Sequence, residues 1–128
     1  MSYYFAKTLK IPFDAAVEKA TAALKSEGFG VLTTIDVKAT LKAKLGVEFP
    51  SYTILGACNP EFAHQALLAE NKIGTMLPCN VIVRDDGSGG TEVAAVDPES
   101  SMQAVENSKL AGIASAVQAK LKRVIESL

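Results

Sequence analysis

The chain has 128 residues, with 13 lysines and arginines against 14 aspartates and glutamates, for a formal net charge of −1. This length suits a single globular domain spanning residues 1–128. Because the charges nearly cancel, no broad positive field would attract a phosphate backbone, and we expect no nucleic-acid partner. The N-terminus lacks the features of a secretory signal, and no apolar run reaches the roughly 18 residues of a membrane span. We therefore expect a cytoplasmic protein without a membrane partner.

The composition is slightly apolar for so small a domain, with 48% hydrophobic and 21% charged residues. A small domain exposes a large part of its surface, so this excess predicts that some surface is buried against a second chain, in a homodimer. Only two cysteines are present. In a reducing cytoplasm we expect both to be free thiols.

The first third of the chain predicts a strand, a helix and a second strand. The run YYFAKTL is β-prone. Apolar residues at helical spacing follow, and Gly28 tolerates the left-handed conformation that ends a helix. The run FGVLTTIDV then alternates with period two, which predicts a strand. The residues expected on one face of that strand are Phe29, Val31, Thr33, Ile35 and Val37.

The middle of the chain predicts a short helix, a third strand and a longer helix. Asp36 has the side chain expected to cap a short helix in VKATLKAKLG. The strand YTILGAC ends at Cys58. The longer helix, in NPEFAHQALLAENKIG, begins with Asn59 as its N-cap and Pro60 at its first position.

This longer helix carries an apolar arc wider than one core contact requires. We expect it to extend to Ile73 and to use part of the arc as a dimer surface. The residues predicted for that surface are Phe62, Leu67, Leu68 and Ile73.

The last third predicts a β-hairpin around DGSGG and a C-terminal amphipathic helix. The resulting order is β-α-β-(short α)-β-α-β-β-α. It indicates an α+β sandwich with an antiparallel-rich sheet and helices on one sheet face.

Several runs resemble a known family: GFGVLTTIDVKATLKAKLG, YTILGACNP, IGTMLPCNVIV and the Asp97-Pro98 pair. They are similar to the family called domain of unknown function 302, and the resemblance covers nearly the whole chain. Its most specific parts are Gly-Ala-Cys-Asn-Pro at 56–60 and Leu-Pro-Cys-Asn-Val at 77–81. The resemblance implies a TATA-binding-protein-like β-α-β(4)-α fold and a single-domain protein that self-associates. It implies no activity.

The two cysteines are the main candidates for chemistry. Cys58 precedes a helix N-terminus, where free amides and the helix dipole stabilise a thiolate. Alternatively it is a small buried strand-end residue, as free cysteine often is. Cys79 alternates with core-type valines, which favours a structural role. Each cysteine is followed by an asparagine, and Asn59 and Asn80 are further ligand-site candidates.

Whether the thiols act together depends on the strand directions. If the strands ending at Cys58 and beginning at Cys79 are antiparallel neighbours, both sulfurs lie at one end of the sheet. They could then form a redox pair or hold a soft ligand. If the intervening helix makes a parallel crossover, it carries Cys79 to the opposite end. The sequence leaves both arrangements open.

His64 and Asp36 are weaker candidates. His64 is the only histidine, and a metal site with Cys58 and Cys79 is conceivable. No CxxC or HxxxH spacing supports such a site, so we expect no metal and no cofactor, and a solvated His64. Asp36 could serve as a general base, but its position favours capping.

Two functions fit these observations. The first is a homodimeric binding or carrier protein in which Cys58, with Asn59, captures a small sulfur-containing, electrophilic or anionic ligand. The second is a homodimeric interaction module with structural cysteines. An enzyme is a weaker interpretation, because no nucleophile has an evident base.

Overall fold

The structure, a computed structural model, describes residues 2–128. Its strands are β1 (Tyr4–Leu9), β2 (Gly30–Asp36), β3 (Tyr52–Cys58), β4 (Cys79–Asp85) and β5 (Thr91–Val96). Its helices are α1 (Phe13–Ser26), α2 (Val37–Leu45), α3 (Pro60–Ala69), α4 (Pro98–Ser101) and α5 (Ser108–Glu126), with a 3₁₀ turn at Ile73–Met76. Across these residues, every helix is too short or too polar to cross a bilayer.

The five strands form one sheet in the order β1-β5-β4-β3-β2, and every neighbouring pair is antiparallel. The helices α1 and α5 pack on one face of it. The predicted α+β class, with an antiparallel sheet and helices on one side, is therefore confirmed. The element order also matches β-α-β(4)-α once α2, α3 and α4 are treated as insertions, while the TATA-binding-protein-like grouping stays a prediction.

The core lies between α1, α5 and the sheet face that we call the helix face. Residues two apart on a strand share a face, so each central strand contributes alternate residues to this core. They are Leu55 and Ala57 of β3, Cys79, Val81 and Val83 of β4, and Val93 and Ala95 of β5. Leu121 and Val124 of α5 pack against them and are fully buried.

Strand β2 breaks the predicted alternation. Val31 pairs with Ala57 and Thr33 pairs with Gly56, so Leu32 is an extra residue in a β-bulge. A bulge reverses the faces of the residues that follow it, which places Thr33 and Ile35 on the face opposite the core. The prediction of one continuous face from Phe29 to Val37 was therefore wrong.

The start of α3 follows the prediction in position but not in chemistry. Asn59 is the N-cap residue and Pro60 the first helical residue. The Asn59 side chain makes no capping hydrogen bond, so that part of the prediction was wrong. The helix also ends at Ala69, and Ile73 falls in the separate 3₁₀ turn. By contrast, Asp36 caps α2 as predicted, since its Oδ1 accepts from the Ala39 amide at 2.9 Å.

The C-terminal part contains one unpredicted element. Asp97 caps the short helix α4, accepting from the Glu99 amide at 3.0 Å, and Pro98 is its first residue. The amphipathic α5 follows as predicted, with Asn107 accepting from the Lys109 amide at its start.

Candidate functional site

A cavity of about 310 Å³ lies between the cysteine end of the sheet and helices α3 and α5. Its lining contains no charged side chain. The lining residues are Phe29, Leu32, Ala57, Cys58, Asn59, Phe62, Ala63, Ala66, Leu67, Gly74, Leu77, Pro78, Cys79, Pro98, Met102, Ile113, Ala114 and Val117. Such a space suits an apolar, uncharged molecule.

Small side chains create this space. Ala63 and Ala66 of α3 and Ala114 of α5 all line the cavity. Protein interiors are normally packed to the density of organic crystals, so alanines at facing helical positions leave room that larger residues would fill. The cavity is thus encoded by residues that look unremarkable one at a time.

Both cysteines line the cavity, and both are free thiols. Cys58 ends β3 and Cys79 begins β4, and these strands are antiparallel neighbours. The two residues therefore lie at the same end of the sheet. In the register Cys79 faces Ala57 instead of Cys58. Because consecutive strand residues point to opposite faces, this register disfavours a direct pairing of the two thiols.

Cys79 is uncharged at neutral pH. Burial raises the pKa of its thiol to about 11, and the nearby Cys58 contributes to the shift through charge repulsion. A buried thiol without a cationic neighbour is a poor nucleophile. Cys79 therefore lines the cavity as a neutral, polarisable thiol. Cys58 is half-buried, and its sulfur is the more accessible of the two.

Asn59 stands at the polar corner of the cavity. Its Nδ2 donates to the backbone carbonyl of Glu27 at 3.5 Å, which is a long hydrogen bond. The carboxylate of Glu27 in turn accepts from Arg123 of α5 at 3.0 Å. This corner joins the end of α1, the β3–α3 junction and α5. The Asn59 amide is thus held weakly at the cavity edge.

The other predicted site residues lie elsewhere. His64 is exposed on α3 and does not line the cavity. Asp36 pairs with Thr53, at the far end of β3 from Cys58. Asn80 lies on the sheet face away from the core, where it lines a second cavity of about 590 Å³. No group of three metal-ligating side chains occurs within residues 2–128.

The predicted dimer surface on α3 is largely used within the chain. Ile73 is only 1% exposed and packs with Ala66 and Leu110, so its assignment to that surface was wrong. Phe62 packs against the core, and Leu67 lines the cavity while remaining 44% exposed. Leu68, at 75% exposure, remains free of these contacts.

Sequence reasoning missed most of the cavity wall. Leu32 reaches it through the bulge, and Met102 reaches it through the unpredicted region after α4. Pro78, which follows a cis peptide bond, also lines it. The available signals were the cap sequence Asp97-Pro98 and the alanines of α3 and α5.

Two comparisons with known proteins match nearly the whole chain. The family model "Domain of unknown function DUF302" matches residues 5–128. The chain belongs to the DUF302 family. This DUF302 chain is similar to a crystal structure of an uncharacterized conserved DUF302 protein from Bacillus stearothermophilus, with a TM-score of 0.90 and 26% identity over 98% of each chain. No curated protein matches it.

Proposed function

We propose that this DUF302 protein binds a small, neutral, apolar ligand in the cavity between the sheet and helices α3 and α5. The observation that carries the proposal is the cavity of about 310 Å³ whose lining has no charged side chain. Ligand sites in proteins are typically concave and mostly apolar, with a few polar groups that orient the ligand. Asn59 and the Cys58 thiol are the groups available for that orientation.

The lining restricts the chemistry of the ligand. An anion buried among these residues would lose its hydration without gaining a cation, which is costly. The anionic class expected from the sequence is therefore disfavoured, while sulfur-containing or electrophilic molecules remain compatible with two thiols. At about 310 Å³, the cavity is at the small end of the range for ligand sites.

The same lining favours a carrier over an enzyme. Neither His64 nor any carboxylate borders the cavity, so Cys58 has no adjacent general base among the lining residues. Nucleophilic catalysis by a thiol usually depends on such a base. We also propose a cytoplasmic location, where free thiols such as Cys58 and Cys79 stay reduced.

Filling the cavity tests the proposal. Ala63→Leu adds three carbons to a half-buried lining position on α3. Because the larger side chain occupies part of the cavity, we expect the affinity for the neutral fluorophore N-phenyl-1-naphthylamine to fall by about tenfold or more. Ala119→Leu, at an exposed position of α5, makes the same change away from the cavity. Titration of the fluorescence with each folded variant measures the effect.

The thiol part is tested in the same assay. With Cys58→Ser, we expect a lower affinity for a sulfur-containing probe, phenyl methyl sulfide, but unchanged affinity for the naphthylamine. If wild type binds neither probe, or if Ala63→Leu binds the naphthylamine as well as wild type does, the proposed ligand site is wrong. Equal binding of the sulfide by Cys58→Ser would remove only the role of the thiol.

We also propose that the protein self-associates as a homodimer. The observation favouring this second role is a sheet face that neither α1 nor α5 covers and that carries three partly or largely exposed isoleucines, Ile35, Ile54 and Ile82. Surfaces of this kind on small proteins commonly mark an interface.

A further inference from the structure

One apolar row crosses the entire sheet on the face opposite α1 and α5, which we call the open face. Each strand contributes one residue, and each residue pairs directly with the next. The row is Ala6, Ala94, Ile82, Ile54 and Ile35, in the spatial order of the strands. Ile35 is 47% exposed, and Ile54 and Ile82 are half-buried. Three isoleucines thus lie side by side at a surface.

The row has its centre at Ile82. Strand β4 is the middle strand of five, and Ile82 is the middle residue of β4. Residues that dominate binding energy cluster near the geometric centre of an interface, where water is fully excluded. The sheet therefore places one of its three open-face isoleucines where an interface needs an apolar residue.

The neighbouring rows carry little net charge. On one side, Arg84 and Glu92 are directly opposed on β4 and β5, and the Arg84 Nε donates to the Glu92 carboxylate at 2.7 Å. Tyr52 stands next to Arg84 in the same row. On the other side lie uncharged residues, including Asn80 and Gly56. A neutralised face of this kind offers no attraction to an anionic polymer or an anionic lipid.

The size of the open face is adequate for a dimer. Five strands about 4.8 Å apart, each six or seven residues long at about 3.3 Å per residue, give a face of roughly 500 Å² in projection. Two such faces bury about 1,000 Å², the lower limit expected for a biological interface. Tyrosines at its rim, Tyr3 and Tyr4, belong to a residue type enriched in interfaces.

We infer that a second copy of this chain seats on the open face, with the two sheets packed face to face and Ile82 at the centre. This inference rests on the proposed self-association and names its surface. A two-fold axis running between the faces over Ile82 brings this side chain against its own counterpart. Each copy keeps its Arg84–Glu92 pair, so closure of the interface buries no unpaired charge.

The open face is a better dimer surface than α3. On α3, Leu68 is 75% exposed and Leu67 is 44% exposed, but Leu67 also borders the cavity, and Ile73 is buried. Two exposed leucines on one helix are ordinary on a monomer. The open face offers a continuous row instead.

Matched charge insertions distinguish the two surfaces. Ile82→Arg places an unpaired charge at the centre of the proposed interface, which should raise the dimer dissociation constant at least about 100-fold. Leu68→Arg makes an equivalent change on α3 and should leave the dimer intact. Sedimentation equilibrium up to about 100 μM protein measures the mass of each, in a range that detects dissociation constants in the micromolar region.

Each outcome bears on a different statement. A dimeric wild type that Ile82→Arg dissociates and Leu68→Arg does not supports the open face. A monomeric wild type overturns self-association and the surface together. A dimer that Leu68→Arg dissociates, or one that neither variant affects, overturns the surface alone. Ile82 is half-buried, so its replacement by arginine could unfold the chain instead of dissociating the dimer. Far-UV circular dichroism of Ile82→Arg and of a second variant, Ile54→Arg, shows whether each is folded. A folded Ile54→Arg variant that remains dimeric contradicts the surface.

Discussion

At the scale of single residues, the two cysteines differ because their surroundings differ. Cys79 belongs to the buried core and faces Ala57 across the ladder. Cys58 lies at the strand end, half-buried, where the chain turns into α3. Desolvation disfavours a thiolate, so the burial that fixes Cys79 in the core also suppresses its nucleophilicity. If either sulfur reacts with a ligand, the structure favours Cys58.

The raised pKa of Cys79 makes stability depend on alkaline pH. Its folded value of about 11 lies above the ordinary value of 9.0. Well below pH 9 the thiol is protonated in both states and no stability is lost. Between pH 9 and 11 the unfolded chain ionises first, so the free energy of unfolding falls, by about 1.4 kcal/mol per pH unit at most.

Cys79→Ala removes this titration and provides the reference. We expect the difference in unfolding free energy between wild type and Cys79→Ala to be constant up to about pH 8.5 and to shrink towards pH 10.5. Urea denaturation at several pH values measures it. Parallel pH profiles for the two proteins would contradict a buried neutral thiol at this position.

Several of these residue positions were predictable from the sequence, and others were not. The cap at Asp36 depends on a local side chain and the next three amides, so a short sequence window suffices. The role of Asn59 depends on Glu27, which is distant in sequence. Tertiary packing brings this neighbour to Asn59, and a short sequence window does not contain it.

At the scale of elements, Glu27 joins the end of α1 to α5. Arg123 donates to its carboxylate through both Nε, at 3.2 Å, and Nη2, at 3.0 Å, and Lys120 lies at 4.0 Å. The hydrogen bond from Arg123 lowers the pKa of Glu27 below its ordinary value of 4.5, against a smaller opposing effect of desolvation. The same residue accepts from Asn59 through its backbone, so this contact also supports the cavity corner.

This ion pair should stabilise the fold above the ordinary pKa of Glu27 and lose that effect as the pH falls through the lowered, folded value. Because Arg123 is about half exposed, we expect Arg123→Gln to cost only on the order of 0.5 kcal/mol at pH 7. The cost should vanish in acid, below the folded pKa. Lys122→Gln, an exposed lysine one residue away, serves as the control in urea denaturation. A cost that persists undiminished at low pH would exclude the ion pair as its source.

Element prediction succeeded where the hydrophobic period was uninterrupted, as in α5 and the β4–β5 hairpin. It failed in β2, because the extra residue Leu32 moves the residues after it to the opposite sheet face, while the alternation of apolar residues in the sequence looks the same with or without a bulge. It also extended α3 too far, because the apolar spacing continues to Ile73 although the backbone leaves the helix after Ala69. Periodicity does not record such local changes of backbone geometry.

At the scale of the whole molecule, packing is uneven. The central strands β3, β4 and β5 have neighbours on both sides and supply most of the buried strand residues. Helix α2, by contrast, has no buried residue. Regions with few buried apolar contacts open at a lower free energy than the core.

Amide hydrogen exchange should reveal this gradient. We expect the amides of α2 to exchange through local opening at a free energy at least about 2 kcal/mol below that of the β4 amides. Exchange measured by NMR or by mass spectrometry of peptides covering residues 37–45 and 79–85 provides the comparison. Equal protection of the two segments would show that α2 unfolds only with the whole chain.

The global arrangement was the part of the fold that the element order predicted best, since strands and helices of these types pack as a sheet with helices on one side. The cavity could not be predicted in the same way. Its wall combines residues from β2, β3, α3, the segment before β4, and α5, and its volume depends on which of them meet. The sequence left open whether Cys58 and Cys79 lie at the same end of the sheet, and the antiparallel pairing of β3 and β4 places them there.

The alternation of faces along β4 affects which substitutions each of its positions tolerates. Cys79, Val81 and Val83 point to the helix face, while Asn80, Ile82 and Arg84 point to the open face. Alternate residues of this seven-residue strand therefore contribute to two different surfaces. Substitutions at 79, 81 and 83 are restrained by packing in the interior. Under the proposed self-association, those at 80, 82 and 84 are restrained by the second copy, and a family member that does not self-associate would tolerate changes at these three positions but not at the ones between them.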